Sequence, residues 1–145
     1  MAEETQNYQN HTRYFPLVHF VITPLLFINL IWQIVDLSRF KNWDEANDLL
    51  IAVILTLISL AARIQALKAQ DRVIRLEERL RYKEVLPQEL YERAKSLRTS
   101  QIIALRFASD EELPELIVKT LNGDFEKTKD IKLAVKNWRG DFLRV

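Results

Sequence analysis

Phe15 to Val35 reads FPLVHFVITPLLFINLIWQIV and Leu49 to Ala62 reads LLIAVILTLISLAA, and these two blocks decide the fold. No Asp, Glu, Lys or Arg occurs between Arg13 and Asp36, and none between Asp48 and Arg63. A bilayer core is about 30 Å thick, so a helix rising ~1.5 Å per residue crosses it in about 20 apolar residues. The first block has that length. The second, at fourteen residues, reaches it when helix extends over Ala46 and Asn47 on one side and Ile64 and Leu67 on the other. Arg63 then lies at the headgroups, its stem in lipid and its guanidinium in water. Two such blocks this close together predict a two-span hairpin, with spans at about 15–35 and 46–67. A secretory leader has a basic start, a short apolar stretch and a small-residue cleavage site. Glu3, Glu4 and the longer stretch depart from that pattern, so the first span is expected to stay as an anchor.

Basic residues near the span ends set the expected orientation. Arg13, Arg63, Lys68, Arg72, Arg75, Arg79, Arg81 and Lys83 flank the outer ends, eight against the two in the loop, Arg39 and Lys41. A hairpin places both ends on one side, so both are expected in the cytoplasm of a bacterial inner membrane. The loop from Asp36 to Asp48 then faces outward, with Trp32, Phe40 and Trp43 as interfacial aromatics.

Only two glycines in 145 residues, with abundant Leu, Ile, Arg, Lys, Glu and Ala, predict an all-α chain. Four regions follow: an arm at 1–14, the transmembrane hairpin at 15–67, an amphipathic connector at 68–86 and a helical tail at 87–145. The connector continues the second span as one long helix, having neither Gly nor Pro before Pro87. Asp71 with Arg75 and Glu77 with Arg81 are acid-before-base pairs one turn apart. Apolar residues at Ile64, Leu67 and Ile74 and then at Val73, Leu76 and Leu80 form a narrow stripe with charged flanks, suited to a two-helix or coiled-coil contact. Packing of that stripe against the chain's own later helices is the expectation.

The tail reads as four short helices, Pro87–Leu97, Ser100–Ala108, Asp110–Leu121 and Thr128–Trp138, making a small bundle. Ser109 and Glu112 have capping-box spacing, and Asn122 with Gly123 supplies a stop. The expected core is Leu90, Ala94, Leu97, Ile102, Leu105, Phe107, Leu113, Leu116, Ile117, Leu121, Phe125, Ile131, Val135, Trp138 and Phe142.

The chemistry is sparse. With no cysteine there is neither disulfide nor thiolate, and two glycines make no phosphate loop. Net charge is +1, with eleven acidic and eleven basic residues from Glu84 onward, which gives no footing for nucleic acid. His11 and His19 lie eight apart, about 12 Å in rise and roughly 80° around a helix, and cannot share a metal. His19 alone could ligate haem or a chlorophyll-type pigment; otherwise no cofactor is expected. Asn29, Gln33, Thr56 and Ser59 can hydrogen-bond between spans, and Pro24 can bend the first. Asp110, Glu111, Glu112 and Glu115 are acidic as a helix start requires. A membrane-tethered enzyme would need a concave site around Arg98, Arg106, Asp110 and Glu111.

Three strings, QNYQNHTRYFPLVHF, ARIQALKAQDRVIRLEERLR and ALRFASDEELPEL, resemble the motifs of an uncharacterised family of small bacterial membrane proteins. The resemblance runs through most of the chain. It implies two spans with a helical cytoplasmic tail and brings no activity with it. The resulting expectation is a non-enzymatic accessory or scaffold subunit, with the bilayer and a protein partner or homo-oligomer as its contacts. Its candidate interaction residues are Arg72, Arg75, Glu78, Arg79 and Tyr82 in the connector and Arg106, Phe107, Asp110 and Glu111 in the tail. The competing expectation for Arg106 is a local brace to Asp110.

Overall fold

The computed structural model describes residues 7–10 and 14–141. His11, Arg13 and Phe142 lie outside the described residues. A π-helical stretch, Leu17–Ile22, leads into α1 (Thr23–Phe40), followed by α2 (Trp43–Val85), α3 (Gln88–Ala94), α4 (Thr99–Leu105), α5 (Leu113–Asn122) and α6 (Thr128–Ala134). The fold is all-α, and no strand occurs among the described residues. Two compact units result, one from Tyr14 to Lys68 and one from Ala69 on that also takes in residues 7–10.

Among the described residues, Leu17–Phe40 and Trp43–Val85 are the two helices long and apolar enough to cross a membrane. The broad π turn has a local cause. Pro24 has no N–H to give the carbonyl of Phe20, and its ring crowds that carbonyl. The backbone widens there, and Thr23 N–H reaches back to Val18 O. The connection between the helices is much shorter than the sequence implied, only Lys41 and Asn42. Lys41 takes a left-handed φ of 49°, its N–H bonded to Leu37 O at 3.1 Å. Asn42 caps α2 by accepting Glu45 N–H at Oδ1, 2.8 Å away, and Asp44 and Glu45 occupy the positive end of the helix. Residues 18–27 and 56–63 line one cavity of about 200 Å³, so the two helices run antiparallel as a hairpin.

Apolar side chains cover the outside of this hairpin, with Phe20, Leu25, Ile28, Ile31, Leu57 and Ile58 all more than half exposed. Ala52 is fully buried. Thr56 does not bridge the helices as expected; its hydroxyl donates to Ala52 O one turn back, 2.8 Å away.

The second unit is a small helical bundle. Pro87 follows the end of α2 and opens α3, accepting Tyr91 N–H at 2.9 Å. Neither α4 nor α6 starts with a Ser or Thr cap. Instead Gln101 Oε1 accepts Arg98 N–H at 2.9 Å, and Asp130 Oδ2 accepts Lys127 N–H at 3.0 Å. Pro114 moves the start of α5 to Leu113, three residues later than the acidic run suggested. Gly123 ends α5 at φ 84°, where a side chain would be strained.

The core gathers Tyr82 and Leu86 from the end of α2 with Ala94, Leu97, Ile102, Leu105, Leu113, Leu116, Ile117, Ile131 and Val135. Leu90, Leu121, Phe125 and Trp138 pack at its rim. Helix α4 lies on α6, and α3 on α5. A strap from Val135 to Asp141 closes the bundle by pairing with the α4–α5 link, Ser109 N–H to Asn137 O at 3.0 Å and Arg139 N–H to Phe107 O at 2.7 Å. Glu112 fixes the strap from the other side, its carboxylate accepting the N–H of Lys136 and of Asn137, each at 3.1 Å.

Candidate functional site

Each residue of α2 advances about 100° around the axis, so residues 73–82 present two faces. Ile74, Glu78, Arg81 and Tyr82 are buried against the bundle. Val73, Leu76 and Leu80 are exposed at 54%, 62% and 58%. Of the stripe expected to pack on the chain's own later helices, Ile74 is buried, while Val73, Leu76 and Leu80 face away from them.

Charge chemistry decides the choice of face. Arg81, only 8% exposed at its side chain, makes a fan of bonds across the α4–α5 link. Its Nε donates to Asp110 Oδ1 at 2.7 Å, Nη2 to Ala108 O at 2.7 Å, and Nη1 to Glu78 Oε2 at 3.2 Å and to Arg106 O at 3.5 Å. The backbone carbonyls at the end of α4 thus find a donor that no neighbouring N–H supplies. The expected Glu77–Arg81 pair does not form, because Glu78 and Asp110 take the guanidinium instead.

Arg106 is also buried, and its Nε donates to Asp141 Oδ2 at 2.8 Å on the strap, while Nη1 donates to Ile103 O at 2.6 Å. The expected brace from Arg106 to Asp110 is replaced by the long-range pair with Asp141 and a bond to a carbonyl of its own helix. The Arg106 guanidinium lies 4.0 Å from the centre of the Phe107 ring, which packs on Trp138 at 4.7 Å. Arg139 Nη1 stands 3.9 Å from Glu78 Oε1. Burial raises the Glu78 carboxyl above its ordinary value of 4.5, against the pull of Arg81, Arg139 and Arg106. Burial, with Glu78 nearby, also pushes the Tyr82 phenol up, and its hydroxyl has no hydrogen-bond partner among the described residues.

Above this cluster lies a groove of about 500 Å³ lined by Ile74, Glu77, Glu78, Arg81, Arg106, Arg139, Gly140 and Asp141. Its buried guanidiniums are committed to carboxylates and carbonyls of the same unit. A separate open depression of about 630 Å³ includes Asp110 and Glu111 with Lys136 and Trp138. Arg98 lines neither, being the exposed cap of α4. The four residues named for an enzymatic site are thus not brought together. No group of three or more His, Cys, Asp or Glu that could hold a metal occurs among the described residues.

The nine candidate interaction residues separate by exposure. Arg72, Arg79, Asp110 and Glu111 are exposed and Arg75 is half-buried, whereas Glu78, Tyr82, Arg106 and Phe107 are interior. Asp141, which pairs with buried Arg106, and exposed Arg139, which stands beside Glu78, were missed because their partners lie far off in sequence. His19 lies in the π turn, its Nδ1 3.0 Å from Phe15 O and its ring edge-on to Tyr14 at 5.4 Å. The cavity of about 200 Å³ beside it is smaller than the roughly 300–1,000 Å³ of ordinary ligand pockets.

Two outcomes follow for the cluster. Removing one member of a buried ion pair strands the other, so Arg81→Met should destabilise the second unit by about 3 kcal/mol. Adding Glu78→Leu to that variant should recover part of the loss, as read by denaturant unfolding; equal or additive losses would contradict the pairing. Glu78 binds its proton more tightly in the folded chain than in the unfolded one. Its contribution to stability therefore falls as pH rises from 4.5 through the raised value. The stability difference between the native chain and Glu78→Gln should show that fall in a pH series of melting curves, and a flat difference would contradict it.

The chain matches no curated protein and no solved structure. A family model matches residues 1–145, from end to end. The chain belongs to the family described as a family of unknown function (DUF6526).

Proposed function

We propose that this protein is a non-enzymatic accessory or scaffold subunit of a bacterial inner membrane, anchored by its hairpin and assembling with a protein partner through the outer face of α2. The carrying observation is the exposure of Val73, Leu76 and Leu80 on a helix whose opposite face is held by Arg81. Three large aliphatic side chains more than half exposed on one stripe are a liability in water unless a partner covers them. The stripe is flanked by Arg72 and Arg79, which supply a charged rim.

The hairpin supports the anchoring half of the proposal. Its outward side chains are apolar nearly throughout, as lipid contact requires. The basic residues of α2 from Arg63 to Lys83, against Arg39 and Lys41 near the connection, support a cytoplasmic position for both ends. The compensated charge cluster supports a holding role over a reaction, because its cations brace backbone and carboxylates of the same unit.

A phosphatase reporter fused after Val145 should be inactive, since it folds only outside the cytoplasm; strong activity would reverse the orientation. Extracted in mild detergent, the native chain should run as an assembly larger than one chain in its micelle. Leu76→Glu with Leu80→Glu should release single chains while leaving helicity unchanged. A native chain that runs alone would overturn the assembly role.

A further inference from the structure

The outer face of α2 keeps a seven-residue register that the apolar stripe alone does not reveal. Taking Val73 and Leu80 as the first position of the heptad puts Ala69 and Leu76 at the fourth, with Lys83 closing the seam. Ala69, Val73, Leu76 and Leu80 are all exposed. Val73 at the first position with Leu76 at the fourth is a combination that favours two strands.

The flanks identify the occupant. In this register Arg72 and Arg79 take the last position of the heptad, and Glu77 and Glu84 take the fifth. In a parallel pair of helices the last position of one faces the fifth position of the next heptad on the other, five residues on. Arg72 then meets Glu77 of the second helix, Arg79 meets Glu84, and symmetry doubles both pairs. An antiparallel pair would set arginine against arginine and glutamate against glutamate. All four are exposed, and none is in an ion pair among the described residues.

We infer that the partner on this face is a second copy of the same chain, joined in register through a parallel two-helix seam over residues 69–84. The inference rests on the proposed assembly role and names its partner. Two copies inserted with the same topology present α2 in parallel, and sharing one membrane raises their effective concentration enough for a seam of about two heptads.

The absence of cysteine makes the test direct. Leu76→Cys in native membranes should give a disulfide-linked dimer of the chain on mild oxidation, and Asp71→Cys, on the opposite side of α2, should give at least tenfold less. In the Leu76→Cys background, Arg72→Glu with Arg79→Glu should abolish linkage, and so should Glu77→Arg with Glu84→Arg. Co-expression of the two charge-reversed chains should restore it between them. Equal linkage at Asp71→Cys, or self-linkage undiminished by charge reversal, would overturn the parallel seam. Leu76→Cys linked only to a different protein would overturn the second copy and leave the assembly role standing. A single unlinked chain would overturn the second copy, and the size of the native assembly in detergent would then decide the assembly role.

Discussion

The guanidinium of Arg81 organises the second unit. It reaches from α2 to the carbonyls of Arg106 and Ala108 and to the carboxylates of Glu78 and Asp110, tying helix to link with one side chain. Fixing that contact fixes the rotation of α2 about its axis. Tyr82 and Leu86 then enter the core, Ile74 is covered, and Val73, Leu76 and Leu80 are left in water. A buried ion pair costs desolvation as well as returning Coulomb energy. Its value here is in specifying orientation, because an apolar contact alone could be satisfied by either face of so apolar a helix.

The strap extends the same logic. Its backbone pairs with the α4–α5 link, which brings Asp141 to Arg106 and Arg139 toward Glu78, while Glu112 holds the N–H groups of Lys136 and Asn137. Two buried arginines are thus each paired, Arg81 with buried Glu78 and exposed Asp110, and Arg106 with partly buried Asp141. The first unit follows a different pattern. Its backbone bonds are closed within helices, Thr56 turns its hydroxyl onto its own helix, and aliphatic side chains face outward.

What could be read from residues alone was whatever depends on near neighbours. Block length and missing charges gave the hairpin, Pro87 and Gly123 marked helix boundaries, and apolar spacing found nearly all of the bundle core. The short connection was also written locally, in Asn42 ahead of Trp43, Asp44 and Glu45, where a cap precedes an acidic first turn. The loop was drawn too long because charge was weighed above capping. The Arg81 cluster was out of reach for another reason: Arg81 and Asp110 are 29 residues apart, and Arg106 and Asp141 are 35. No periodicity encodes such a pairing, and the nearer candidates, Glu77 for Arg81 and Asp110 for Arg106, are not the partners those arginines take.

The central claim is that α2 has an inner face held by its own chain and an outer face covered only by a partner. The most direct measurement is the rate of aqueous maleimide labelling of single cysteines at Val73, Ile74, Leu76 and Leu80, in native membranes and after detergent has dissociated the assembly. The account predicts that Ile74→Cys stays protected in both conditions, while the other three are slow in membranes and become fast in detergent. Fast labelling at Val73, Leu76 and Leu80 in both conditions would contradict it, since the outer face would then have no partner to lose.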